Sequence, residues 1–217
     1  MSTIRAALAT FSLSDHLAHT WENELVTFPI VDLPAGPLAI VDETGVLRPC
    51  QISAGRVSFV VDRLPALGSR EFMLVARETP TSPVVVKESA GVVELSNGLI
   101  SLRLPASQAA SPTLPGPLLG VRRGDGPWIG GGRIHFSSHL VPEAMETCEV
   151  ESGALWTTWQ VAYRCAGGER YTLTVRLYAD KPVAEFTEES SLCRKSCWEF
   201  SVRDGLQPDH YWVHPIY

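Results

Sequence analysis

From Arg170 to Tyr178 the side chains alternate without a break. Tyr171, Leu173, Val175 and Leu177 fall on one side, and Arg170, Thr172, Thr174 and Arg176 on the other. This two-residue period belongs to a strand with one buried face and excludes a helix over the same stretch. Just upstream, Trp159, Val161 and Tyr163 alternate with Gln160, Ala162 and Arg164, and Gly167-Gly168 supplies a turn. Residues 156–178 are therefore predicted to form a β-hairpin. Ile100, Leu102 and Leu104 alternate with Ser101 and Arg103, and Val57, Phe59 and Val61 with Ser58 and Val60. Each pattern turns one face to a core and the other to water or a second layer. Helical text is confined to residues 14–24, where Ser14 beside Asp15 is expected to cap a short helix. The 16 prolines and 17 glycines fall mainly between the alternating runs, as they do in a sandwich. The expected class is all-β.

Thr79-Pro80-Thr81-Ser82-Pro83 interrupts the ladder and marks the best boundary. The organisation expected is an N-terminal arm (1–19), a small β-sandwich module (20–79) and a larger antiparallel β-sandwich or supersandwich (84–217). The run from Pro105 to Pro117 is rich in Ala, Ser and Pro and reads as an exposed excursion. The chain stops in a dense aromatic cluster with no polar tail, Asp209-His210-Tyr211-Trp212-Val213-His214-Pro215-Ile216-Tyr217. That ending suggests a cut through a longer protein, in which the second module is truncated.

Composition narrows the partners. With 45% hydrophobic and 19% charged residues the chain can build a core, which sets it apart from disordered sequences. A formal charge of -6 with scattered Lys and Arg argues against nucleic acid. No apolar run approaches the roughly 20 residues that cross a bilayer, so no membrane partner is expected. The apolar core within the first ten residues is shorter than that of a signal segment. The five cysteines are an odd number, spread through strand text, and suit reduced thiols in a cytoplasmic protein.

Several stretches carry a resemblance. Thr27-Phe28-Pro29-Ile30 is followed by Val41-Asp42-Glu43-Thr44-Gly45 and Leu64-Pro65-Ala66-Leu67-Gly68. Leu95-Ser96-Asn97-Gly98-Leu99-Ile100, Val150-Glu151-Ser152-Gly153 and Leu177-Tyr178-Ala179-Asp180-Lys181-Pro182 come next. In this order they resemble the β-sandwich region of family-38 glycoside hydrolases, the α-mannosidases, over roughly residues 20–190. Galactose-mutarotase-like supersandwich domains of other glycosidases and of polysaccharide lyases share this grammar. The chain departs from the pattern at Phe28, where the family has Asn, and at Ser69, where Tyr is common. The family's zinc ligands and catalytic Asp belong to a separate N-terminal domain, so the resemblance assigns no catalytic residue here. It implies a non-catalytic or accessory portion of a carbohydrate-active enzyme, which would pack against a missing catalytic domain of the same chain. The alternatives are a free-standing mutarotase-like enzyme using a His/Glu or His/Asp pair, and a binding or scaffold module without sugar contact.

His135 and His139, like His210 and His214, are four apart, but in strand text this spacing gives no compact metal site. Cys193 and Cys197 flank Arg194 and Lys195; two thiols near a turn are expected rather than a zinc pair. No metal or cofactor is expected. Glu143, Glu146, Glu149 and Glu151 offer carboxylates for glycosidase chemistry, yet a solvated strand edge accounts for them. Residues 124–132 are glycine-rich without the ending or the helix that a phosphate cradle needs, and are expected to form a mobile loop or a tight hairpin. Trp128 within them can stack on a sugar or fill the sandwich edge. The terminal group of Asp204, Asp209, His210, Tyr211, Trp212 and His214 combines acids, imidazoles and aromatics, as a sugar site does. Packing against a missing domain explains it as well. Trp128, Asp209, His210, Tyr211, Trp212 and His214 are the candidate carbohydrate contacts.

Overall fold

The structure is a computed structural model that describes residues 7–32, 36–78, 84–108, 114–137, 140–192 and 196–201. Those residues form strands, turns and loops with no helix, so the chain is all-β. It divides into two compact units, Met1–Pro83 with Ser152–Trp156, and Val84–Glu151 with Thr157–Tyr217.

The first unit holds β1 (Ala9–Ser14), β2 (Trp21–Pro29), β3 (Ala39–Asp42), β4 (Leu47–Ser53), β5 (Arg56–Leu64) and β6 (Ser69–Val75). They form one sheet in the order β1-β6-β3-β4-β5-β2. In a flat sheet β1 and β2 would lie about 24 Å apart, five strand spacings. Instead Phe11 of β1 stacks on Phe28 of β2 with ring centroids 4.8 Å apart. Phe59 of β5 lies 6.1 Å from the first and 5.9 Å from the second. The sheet is therefore rolled around its own core, which also takes in Ile40, Val57, Val61, Phe72 and Leu74. Residues 9–14, expected to belong to an arm, supply one of its strands by pairing with β6.

The helix expected over residues 14–24 is absent. Asp15 explains why. Its carboxylate accepts the backbone N–H groups of Leu17 and His19 at 3.1 Å each and the Trp21 indole N–H at 2.9 Å. It also accepts the N–H of Leu67, from the turn between β5 and β6, at 2.8 Å. The side chain thus takes the His19 N–H that a helix would use and gathers two donors from beyond the first turn, an example of the local side-chain bonding by which Asp favours turns. Ala18 and Asn23 adopt positive φ, which a right-handed helix excludes.

The second unit contains two four-stranded sheets and a ribbon. One sheet has the order β10-β9-β8-β7, made of β7 (Val85–Ser89), β8 (Val92–Ser96), β9 (Ile100–Pro105) and β10 (Gly120–Arg123). Before the second sheet comes β11 (Gly131–His135). The second sheet runs in chain order through β12 (Pro142–Ser152), β13 (Trp156–Cys165), β14 (Arg170–Tyr178) and β15 (Ala184–Ser190). The last strand among the described residues, β16 (Cys197–Ser201), pairs with β11. The hairpin expected over residues 156–178 is formed by β13 and β14, turning at Gly168 with φ +88°. Tyr171, Leu173, Val175 and Leu177 are all buried, as the alternation requires. They meet Trp159, Val161 and Tyr163 on their own sheet and Val93, Leu95, Leu102 and Leu104 from the other. Two layers closing on one core make a sandwich. Each such Leu or Val contributes about 1.5–3 kcal/mol through burial.

The motifs behind the resemblance set turns in this architecture. Asn97 accepts the N–H groups of Leu99 and Ile100 at 2.9 and 2.8 Å, shaping the β8–β9 turn. Its amide donates to the carbonyls of Tyr178 and Lys181 at 2.6 and 2.7 Å, tying that turn to the end of β14. Gly98 follows at φ +81°, a conformation that favours glycine. Asp42 plays the equivalent part between β3 and β4, accepting from the N–H and hydroxyl of Thr44 and from the N–H of Val46.

Candidate functional site

Trp128 is the one sequence-derived sugar-contact candidate among the described residues; Asp209, His210, Tyr211, Trp212 and His214, with Asp204, lie outside them. The glycine-rich segment is a tight hairpin. Arg123 and Gly126 close its turn through a 3.0 Å backbone bond, and Val121 and Ile129 exchange both of their backbone bonds, at 2.9 and 2.8 Å. This antiparallel bridge sets Trp128 beside Arg122. The indole lies over Gly120, where an added Cβ would come 3.4 Å from its Cε3.

Two guanidinium groups meet the half-buried ring. The carbon of Arg103 lies 3.8 Å from the ring centroid, and that of Arg122 lies 4.7 Å from it. Both arginines share Glu94. Arg103 Nε and Nη2 reach Oε2 at 3.4 Å, and Arg122 Nη2 reaches Oε1 at 3.2 Å and the Ser101 hydroxyl at 3.3 Å. The side chains of Arg103 and Arg122 stay 39% and 25% exposed. Strand register places these groups together. Lys87 is opposite Glu94, Glu94 opposite Arg103, Arg103 opposite Gly120, and Ser101 opposite Arg122. Alternation sends Leu95, Leu102 and Leu104 into the core and these polar side chains to the outward face.

A polar hollow lies by the β11–β16 ribbon. Leu119, Gly130, Gly131, Gly132, Arg133, Glu199 and Ser201 line about 420 Å³. At its rim His135 Nε2 lies 3.0 Å from Glu199 Oε2, both side chains about half exposed. The Ser201 hydroxyl, then His135, draw the Glu199 carboxyl below its ordinary value. His139 lies outside the described residues.

The remaining candidates are spent or solvated. In the first unit an apolar cleft of about 530 Å³ runs past Leu13, Leu17, Trp21, Leu25 and Leu64. The acid beside it, Asp15, already accepts four hydrogen bonds. The Trp21 indole, followed by the Leu67 N–H, holds its carboxyl well below the usual range, so it stays ionised and occupied. Glu143, Glu146 and Glu149 are exposed on β12, the solvated edge expected of them, whereas Glu151 is half-buried. Cys148 and Cys197 are exposed free thiols, and Cys50 and Cys165 are buried ones. Burial pushes the Cys50 thiol up to about 11, which makes it inert. Among the described residues no group of three or more His, Cys, Asp or Glu is placed to hold a metal ion, and no helix is long and apolar enough to cross a membrane.

Sequence reasoning singled out Trp128 and missed Glu94, Arg103 and Arg122 as its neighbours. The signal was there: a hairpin turning at Asn97-Gly98 sets Glu94 across from Arg103, and one turning at Asp125 sets Arg122 across from Trp128. Compared with known proteins, the chain matches no family model, and no curated protein matches it in sequence.

Proposed function

We propose that the chain is a non-catalytic or accessory β-sandwich portion of a carbohydrate-active enzyme, α-mannosidase-like or lyase-like, and that its sugar-contacting surface is the outward face of the β7–β10 sheet around Trp128. One observation carries the proposal: a half-buried tryptophan is held on a polar sheet face among Arg103, Arg122, Glu94 and Ser101. Sugar sites combine an aromatic surface with convergent hydrogen-bonding groups, because pyranoses expose apolar C–H faces and hydroxyl edges. The ordered motifs of the resemblance support the parent enzyme, and the free thiols fit the cytoplasmic location that goes with this reading. In the parent enzyme the chain packs against its catalytic domain. The test is titration against a panel of neutral and acidic oligosaccharides, with Trp128→Ala as the control. Binding that Trp128→Ala weakens supports the surface, and absence of binding to every sugar overturns it.

A second reading has its own observation. The His135–Glu199 pair at 3.0 Å, beside a polar hollow, is the His/carboxylate combination that a mutarotase-like enzyme would use to move a proton at an anomeric centre. Polarimetry of freshly dissolved glucose and galactose tests it. Acceleration lost in both His135→Ala and Glu199→Gln would favour this reading, and an unaccelerated rate would remove it.

A further inference from the structure

The Trp128 surface carries more positive charge than its own carboxylate can satisfy. We infer that its ligand is an acidic saccharide, whose carboxylate or sulfate is held by the guanidinium groups of Arg103 and Arg122 while Trp128 keeps those groups in place. This rests on the sugar-contact reading above and specifies the chemistry of the same site.

Three observations lead there. The first is charge. The strands of this sheet's outward face place Lys87, Arg103 and Arg122 around Glu94, the one acid of that face among the described strand residues, in a chain whose formal charge is -6. Three cations share one anion. A local excess of the opposite sign to the whole molecule attracts anions to that face.

The second is hydrogen bonding. All the bonds these arginines make to Glu94 and Ser101 fall between 3.2 and 3.4 Å, longer than the usual 2.7–2.9 Å of a charge-assisted bond. The Nη1 groups of Arg103 and Arg122 take no part in these bonds. Those donors remain for a second anion.

The third is the ring. A guanidinium stacked on an indole uses its flat face and keeps its N–H edge free, and that edge forms bidentate bonds to carboxylates and sulfates. Stacking also removes side-chain freedom before a ligand arrives, which lowers the entropic cost of binding. Trp128 then acts as a positioning residue for the arginines in addition to its contact with the sugar. Gly120, opposite Arg103 in the ladder, lies beneath the indole, where an added Cβ would make ordinary contact at 3.4 Å.

The experiment is calorimetric titration of the full chain with α-1,4-linked trigalacturonate, a sulfated disaccharide, a neutral galactose trisaccharide and adenosine monophosphate. Trigalacturonate or the sulfated disaccharide is expected to bind at least about tenfold more tightly than the neutral sugar. The tighter of the two identifies carboxylate or sulfate as the recognised group. The preference should shrink between about 50 and about 300 mM salt, as screening requires. The Arg103→Gln/Arg122→Gln variant should lose the preference while keeping the far-UV spectrum and denaturation midpoint of the parent. Arg103→Lys, which keeps charge but loses the fork, should fall between them. Equal binding of neutral and acidic sugars overturns the acidic-ligand inference and leaves the sugar surface standing. Binding of adenosine monophosphate as tight as the best saccharide also overturns it. No binding of any sugar overturns both.

Discussion

Asp42 in the first unit and Glu94 in the second each sit between two arginines, and the surroundings give the two clusters opposite uses. Asp42 has a side chain only 1% exposed and takes Arg48 at 2.8 Å and Arg70 at 3.0 Å on one oxygen. Its other oxygen accepts from Thr44 and Val46. Glu43 and Asp62 complete the set, Asp62 pairing with both arginines and Glu43 with Arg70. Three acids there neutralise two cations at short range. Around Glu94 one acid faces two arginines through long contacts on a partly exposed surface. Each cluster leaves one buried arginine Nε unbonded, on Arg48 and on Arg122, so the two differ in charge balance, bond length and exposure. A buried cluster neutralised at short range fixes a fold, whereas a partly exposed one with excess positive charge is available to a ligand.

Substitution of the two carboxylates should expose the difference most clearly. Asp42→Ala leaves Arg48 and Arg70 short of a buried partner, and a loss of about 3–5 kcal/mol in denaturant unfolding is expected. A loss below about 1 kcal/mol would break the contrast. Acid should act through the same residue. Burial pushes the Asp42 carboxyl up, but bonds from Thr44, Arg48 and Val46 outweigh it and hold the group well below its ordinary value of 3.8. A carboxyl that titrates lower when folded stabilises fully above its unfolded value and loses that contribution as pH falls through the folded one. Wild-type stability should therefore fall as pH drops below about 4, and Asp42→Asn should flatten that fall. An unchanged slope would assign the acid sensitivity elsewhere.

Asn97 shows whether saturation or location matters. It lies in the second unit, like Glu94, yet uses its amide as completely as Asp42 uses its carboxylate, with two bonds accepted and two donated. Asn97→Ala should cost about 2 kcal/mol, read from the shift in denaturation midpoint. A negligible shift would mean that counting satisfied bonds does not separate structural from available polar groups. Glu94→Ala should be the smallest change, within about 1 kcal/mol in stability. Its effect should appear instead as tighter, more salt-sensitive binding of trigalacturonate, because the competing internal anion is gone. Weaker binding would mean that Glu94 itself contacts the ligand.

Period-two text made the strands at 57–61, 100–104 and 170–178 readable, because burial on one face of a sheet leaves a direct trace in composition. The same trace was present in Phe11-Ser12-Leu13-Ser14, within the segment assigned to an arm. The false helix at 14–24 came from reading Ser14 and Asp15 as a cap. The Asp15 carboxylate instead closes a turn and reaches Leu67, 52 positions away, and local propensity carries no information about such a partner. The rolling of the first sheet was illegible for a similar reason, since the stacking of Phe11 on Phe28 depends on curvature. At the candidate site, Trp128 was legible as an aromatic in a turn. Its arginines required strand register, which only a fixed turn position supplies.

The most direct test follows the indole itself. Nitrogen-15 labelling of tryptophan and of arginine Nε lets Trp128, Arg103 and Arg122 be watched while trigalacturonate is added. Shifts concentrated on these three groups, saturating together, are the predicted result. Shifts confined to Trp21, Trp198 or other distant tryptophans, with Trp128 and both arginines unmoved, would contradict the account.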